Sequence, residues 1–255
     1  MDKQSSVTLA VRQGPRSDQE DRNFFMRIEN SGCEGWLMAV MDGHSGSYVA
    51  ELCRQEAKDL FRLSSVEQSE QALRNLVEQL NIKSEHFKEG STLSAALGFD
   101  DPRKAPVAIL GDSPVVVYDV RGETWVSPEH NVRSSLKEKK AAEQRGGYLR
   151  DGYLYARGGD EGLQLSRALG DAYLAGVISR EPEIFTIADP RWILVASDGL
   201  LDPSHGLFDP SHGNTHNLLE EIRFFAQRSA TAEDLMKWAE KRGLRDNATA
   251  LVWCA

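Results

Sequence analysis

The sequence predicts an α+β fold in which helices pack outside antiparallel sheets, and three observations lead there. Strand-like segments come in runs and helix-like segments in pairs, rather than in the strict alternation that marks a parallel sheet. Most strand candidates are short and bounded by Gly, Pro, Asp or Asn. The link Gly111-Asp112-Ser113-Pro114 is too short for a crossover helix, so the apolar segments on either side are expected to pair as an antiparallel hairpin. No Pro-rich or Ser/Gly-rich linker divides the chain, and residues 1–255 are read as one domain.

In chain order, residues 7–11, 23–29 and 35–41 are the first expected strands. A helix over 47–61 follows, with Val49, Leu52, Cys53 and Leu60 on one face, and a second repeats Leu73, Leu76, Val77 and Leu80 at the i, i+3, i+4, i+7 spacing. Both are expected to face the core. Residues 92–99, 106–110 and 115–120 return to strands. Ser135-Leu136-Lys137-Glu138 has the form of a capping box and opens a helix that Gly146-Gly147 stops. Strands at 184–187 and 192–196 are followed by helices over 217–228 and 231–242, the latter closed by Gly243, and 249–254 is the last strand.

Composition narrows the function. With 40% hydrophobic and 27% charged residues the chain reads as a soluble globular protein. A net charge of -9 argues against a nucleic-acid partner, because phosphate backbones are met by clustered Lys and Arg. Cys33, Cys53 and Cys254 form no C-x-x-C pair and are odd in number, which fits thiols in a reducing compartment. No apolar run approaches the ~20 residues of a membrane helix, and nothing near Met1 resembles a signal peptide. The protein is expected to be cytoplasmic and monomeric, with no membrane partner. A near-repeat, Asp202-Pro203-Ser204-His205-Gly206 and Asp209-Pro210-Ser211-His212-Gly213, supplies three histidines with His216, but turn residues fill it and it reads as a polar surface loop rather than a zinc site.

The chemistry lies in carboxylates at strand ends. The apolar run Trp36-Leu37-Met38-Ala39-Val40 leads to Asp42-Gly43-His44, and Trp192-Ile193-Leu194-Val195-Ala196 leads to Asp198-Gly199 with Asp202 close behind. Asp246 precedes the last strand, Asp112 sits in the link between two others, and Glu20-Asp21 precedes the strand at Asn23. An unpaired buried carboxylate costs several kcal/mol. If these ends converge, the acids repel one another and require cations. An all-oxygen donor set selects hard divalent ions, Mg²⁺ or Mn²⁺, over zinc or copper.

These residues resemble the metal-dependent serine/threonine protein phosphatases of the 2C type, over nearly the whole chain. Arg16-Ser17-Asp18-Gln19-Glu20-Asp21 looks like that family's first motif, and Asp42-Gly43-His44-Ser45-Gly46 is similar to its Asp-Gly-His-x-Gly signature. Gly90-Ser91-Thr92, Gly111-Asp112-Ser113, Gly146-Gly147, the run Leu165 to Asp171, Ser197 to Asp202 and Arg245-Asp246-Asn247 follow in the family's order. Two departures are Ser45, where the family usually has Gly, and Pro114, where it has a basic residue; neither is a ligand position.

The resemblance implies a central antiparallel β-sandwich flanked by pairs of helices, with metals at one edge. It implies that Asp42 bridges two Mn²⁺ or Mg²⁺ ions, that Asp198 and Asp246 hold the first, and that Glu20 with the Gly43 carbonyl holds the second. Asp112 and Asp202 match positions of a weaker third ion, and Asp21 supports the cluster from behind. The implied activity is hydrolysis of phosphoserine and phosphothreonine on proteins. Two ions would activate a water, Arg16 would grip the phosphate through its planar fork, and His44 would protonate the departing oxygen. Ser166, Arg167 and Asp171 are assigned to packing that supports the metal edge, with substrate contact as the alternative. Asp151, Arg157 and Asp160 fall in a polar flap-like segment. Two other readings stand beside this one: a pseudophosphatase that binds proteins, and a phosphatase of small phosphorylated metabolites.

Overall fold

The computed structural model describes residues 5–30, 32–201 and 218–255, and the backbone of 215–217. Ten strands build its centre: β1 (Ser6–Arg12), β2 (Arg22–Asn30), β3 (Cys33–Met41), β4 (Leu93–Phe99), β5 (Lys104–Leu110), β6 (Val115–Asp119), β7 (Thr124–Val126), β8 (Glu183–Ala188), β9 (Pro190–Ala196) and β10 (Ala248–Cys254). They form two antiparallel sheets, ordered β1-β10-β9-β6-β7 and β8-β5-β4-β3-β2. Met38, Val107, Val117, Ile193, Leu251 and Trp253 fill the space between them. Helices α1 (Tyr48–Leu60) and α2 (Ser69–Ser84) cover the outer face of the second sheet through Cys53, Leu73, Leu76 and Leu80, packed on Leu37, Leu93 and Leu97. The short helix α3 (Leu136–Gln144) lies apart, and α4 (Thr215–Gln227) with α5 (Ala232–Arg242) covers the first sheet through Ile222, Leu235 and Met236. The result is the expected sandwich with a helix pair on each side.

Because helices cover both outer faces, the central strands have no solvent side. β4 and β6 are buried along their whole length, and their sequences read as continuous apolar runs instead of alternating. That loss of alternation explains one correction. The expected hairpin through 111–114 does not form, because β5 and β6 belong to opposite sheets. β5 is paired on both edges, by β4 and β8, so no edge is left for β6, and the link instead steps between layers. A short link excludes a crossover helix, but it does not decide between pairing in one sheet and crossing to the other.

Helix ends follow the expected chemistry, with one difference. Thr231 and Asp234 form a reciprocal capping box at the start of α5. Ser135 accepts from the Glu138 N–H at the start of α3, but the Glu138 side chain turns away to Ser166 and Arg167, so the box there is one-sided. Gly146, at φ +95°, ends α3, and its N–H donates to the Glu143 carbonyl at 2.9 Å. Beyond α3, three short strands, Tyr148–Arg150, Tyr153–Tyr155 and Gly162–Leu163, pair in a ribbon over a small core of Val132, Ala142, Leu154, Leu165, Leu174 and Val177. Among the described residues no helix is long and apolar enough to cross a membrane.

Candidate active site

Antiparallel register brings the strand-ending carboxylates to one edge. Arg22 pairs with Met41, so the segment before β2, carrying Glu20 and Asp21, lies beside the end of β3, where Asp42 follows. Ala196 pairs with Ala250, which sets Asp198 beside Asp246, just before β10. Asp112 arrives on the inter-sheet link. A cleft of about 300 Å³ opens there, and its lining includes Arg16, Glu20, Asp42, Gly43, His44, Asp112, Asp198 and Asp246. Asp21 is buried beneath it. Asp202 and the His205 and His212 loop, together with the His216 side chain, lie outside the described residues.

The close approach of these loops depends on particular small residues. Asp198 opens a single helical turn, Asp198–Leu201, and a Cβ on the following Gly199 would stand 2.0 Å from the Asn247 carbonyl oxygen. Only glycine lets the Asp198 and Asp246 segments pack together. Asn247 ties the acidic edge further: its Oδ1 accepts from the Glu20 N–H at 2.7 Å, and its Nδ2 donates to the carbonyls of Gln13 and Asp18. The Asp42 N–H donates to Thr92 Oγ1 at 3.0 Å, and the Asp42 carbonyl accepts from the Thr92 N–H. Asn131 Nδ2 donates to Asp112 at 2.9 Å. Asn247 and Thr92 stand inside two of the motifs, Asn247 beside the assigned Asp246 and Thr92 in a Gly-Ser-Thr stretch that carries no acid; Asn131 gives no signal in the sequence.

The electrostatics fit a cation site. Burial, then the charges of Asp21, Asp198 and Asp112, push the Asp42 carboxyl well above its usual range. Asp198 is raised likewise by burial, then by Asp112 and Asp246. Burial lifts Asp21 to about 6, although its Oδ2 accepts from Ser197 and Thr249 hydroxyls, each at 2.7 Å. Its Oδ1 is buried with no hydrogen-bond partner among the described residues. Among the lining residues the opposing cation close at hand is Arg16, at the rim, whose Nη2 donates to Asp246. A cluster of oxygen donors with too little positive charge is what Mn²⁺ or Mg²⁺ would satisfy.

His44 lies in a small ribbon. Gly43 and His44 pair with Ser91 and Gly90, and those pair in turn with Leu169 and Gly170. The ribbon delivers Asp171 to His44, whose Nε2 is 2.9 Å from both carboxylate oxygens. Ser166 and Arg167, by contrast, bind Glu138 away from the cleft. From the flap-like segment the cleft is lined by Tyr153, Leu163, Gln164 and Leu165, while Asp151, Arg157 and Asp160 are not part of its lining.

A second acid and histidine group, His130, Glu138 and Glu183, has donor atoms within 4.8 Å of one another. It is a poor metal site. His130 Nδ1 accepts the Gly111 N–H at 3.1 Å, so the ring proton sits on Nε2 and blocks it as a ligand. Arg167 and Lys137 already supply cations to the two glutamates.

Fold and site together define a hydrolase-like sandwich with an acidic, cation-demanding edge. The family model described as "Protein phosphatase 2C" matches residues 7–204. The chain is 32% identical over 237 residues to the Arabidopsis thaliana protein named "Probable protein phosphatase 2C 58", covering 89% of this chain and 79% of that one. It is 29% identical to "Probable protein phosphatase 2C 59" of the same plant, over 97% of this chain and 78% of the relative. Among solved structures, a C. elegans sex-determining protein superposes with a TM-score of 0.68 at 26% identity, covering 99% of this chain and 65% of that one. A serine-threonine phosphatase 2C from Toxoplasma gondii shares the fold at TM-score 0.63 and 19% identity, over 98% and 95% of the two chains. The chain belongs to the protein phosphatase 2C family, whose members are metal-dependent serine/threonine protein phosphatases.

Proposed function

We propose that this chain hydrolyses phosphoserine and phosphothreonine monoesters on proteins, in a cleft that holds two Mn²⁺ or Mg²⁺ ions. The observation that carries this reading is the convergence of Glu20, Asp42, Asp112, Asp198 and Asp246 on one cleft with Arg16 at its rim. Asp42 would bridge the ions, Asp198 and Asp246 would hold one, and Glu20 with the Gly43 carbonyl the other. Asp112, with Asp202, is suited to a weaker third. When bound, such ions neutralise phosphate charge and acidify a water at neutral pH.

The chain's own residues do the rest. Thr92 and Asn247 fix the backbones that carry Asp42 and Glu20, so the donors are set before any ion arrives. Asp21, locked by Ser197 and Thr249, adds negative charge from beneath and raises the demand for cations. A phosphate dianion at the rim competes with Asp246 for the Arg16 guanidinium, whose planar fork matches two phosphate oxygens. His44, in the cleft lining, protonates the ester oxygen as the P–O bond breaks, since a serine alkoxide is a poor leaving group.

The test is phosphate release from a phosphothreonine peptide, beside free phosphoserine and a sugar phosphate. Turnover of the peptide should stop in chelator and return with Mn²⁺ or Mg²⁺. Preference for the small esters would favour a metabolite phosphatase. No turnover of any ester with metal present would favour a protein-binding pseudophosphatase.

A further inference from the structure

We infer that Asp171 is the positioning residue for His44: it fixes a proton on Nε2 and leaves Nδ1 as the ring nitrogen that exchanges a proton with substrate. This rests on reading His44 as the general acid. A carboxylate can only accept, so the contact of Nε2 with both Asp171 oxygens at 2.9 Å requires an Nε2–H. In the neutral ring Nδ1 then carries the lone pair, and in the protonated ring it carries the second proton. The transferable proton is therefore on Nδ1. A buried Asp that orients a catalytic imidazole and selects its tautomer does the same in serine hydrolases.

The surroundings are built for this contact. The Asp171 side chain is fully buried, while that of His44 keeps 20% exposure. Asp171 sits at φ +51°, which Asp and Asn tolerate better than most residues. Its N–H donates to the Glu89 carbonyl at 3.0 Å, and its own carbonyl accepts from the Leu174 N–H at 2.9 Å. Gly90 lies opposite His44 in the ribbon; a Cβ there would stand 2.2 Å from His44 Nε2 and 2.3 Å from Asp171 Oδ2. Glycine at 90 is thus a condition of the contact. Tyr173 titrates far above its usual range, through burial and then the charge of Asp171.

The experiment uses Asp171→Asn and His44→Gln in the full chain. Asn suits the positive φ, yet its amide can turn an NH₂ toward Nε2 and favour the Nδ1–H tautomer. In the metal-free wild type, ¹⁵N shifts of the His44 ring should report Nε2–H, and in Asp171→Asn they should move toward Nδ1–H. With Mn²⁺, Asp171→Asn should lose ~10²-fold in kcat on a phosphoserine peptide, the scale of general acid catalysis. On p-nitrophenyl phosphate, whose phenolate leaves unaided, it should lose less than about tenfold, with KM unchanged on both. A wild-type ring with Nδ1–H overturns the inference, and this needs no variant to fold. Equal losses on both esters in Asp171→Asn also overturn it, provided His44→Gln still separates them. If His44→Gln fails to separate them, the general-acid reading falls, and this inference with it.

Discussion

Replacing Asp21 by Asn should stabilise the metal-free protein and blunt its response to metal. Both hydrogen bonds to Asp21, from Ser197 Oγ and Thr249 Oγ1, end on the same oxygen, Oδ2. An Asn amide oxygen in that place keeps both, and its NH₂ takes the place of Oδ1, which is buried without a partner among the described residues. The substitution therefore removes a charge with little loss of bonding. Asp21 is raised from 3.8 to about 6, chiefly by burial. At about 1.4 kcal/mol per unit, ionised Asp21 costs the folded state about 3 kcal/mol. The folded pKa is above the unfolded one, so the cost is absent below about pH 4, grows as pH rises, and is complete above about pH 6. Thermal unfolding in chelator from pH 4 to 8 reads it directly. The variant should match wild type near pH 4 and unfold roughly 5–10 °C higher at pH 7. Added Mn²⁺ should raise its Tm less than that of wild type. A gap that does not depend on pH, or a less stable variant at pH 7, would refute the reasoning.

Other substitutions test separate parts of the site. Arg16→Ala should raise KM and the inhibition constant for inorganic phosphate, with Arg16→Lys an incomplete substitute because it lacks the planar fork; unchanged constants would remove Arg16 from phosphate binding. Gly199→Ala places a Cβ 2.0 Å from the Asn247 carbonyl oxygen. It should cost roughly 1–3 kcal/mol in chemical denaturation and weaken Mn²⁺ binding, as the Asp198 and Asp246 segments are forced apart. Ser45 holds φ +60°, so Ser45→Gly should stabilise the chain, by up to about 1 kcal/mol in the same assay. Asp112→Ala should lower turnover while calorimetry still finds the two tight ions, and loss of a tight ion would move Asp112 into the principal ligand set.

Much of this molecule was legible because its chemistry is local. An apolar run that breaks at Asp-Gly announces both a strand end and an acid that needs a partner, and at Asp42 and Asp198 the strand does end there, with each carboxyl raised chiefly by burial. The helices α1 and α2 declared themselves through the spacing of Val49, Cys53, Leu73 and Leu76, and these residues are buried. What stayed hidden depended on where distant segments meet. The 111–114 link gave no sign of which sheet receives β6, because strands buried on both faces lose the alternation that assigns a face. Asp171 lies 127 residues from His44, and only the ribbon through Gly90 joins them. The tie from Asn247 to Glu20 spans 227 residues and is equally silent in the sequence.

The central claim is that the converging carboxylates form a two-ion, oxygen-only site, and a calorimetric titration of Mn²⁺ into the metal-free chain tests it without relying on turnover. The account predicts two tight ions per chain. Asp42→Asn should abolish both, since on this proposal its carboxylate would bridge them, and Asp198→Asn should remove one while the fold, followed by circular dichroism, persists. Undiminished binding of two ions by folded Asp42→Asn would contradict the account.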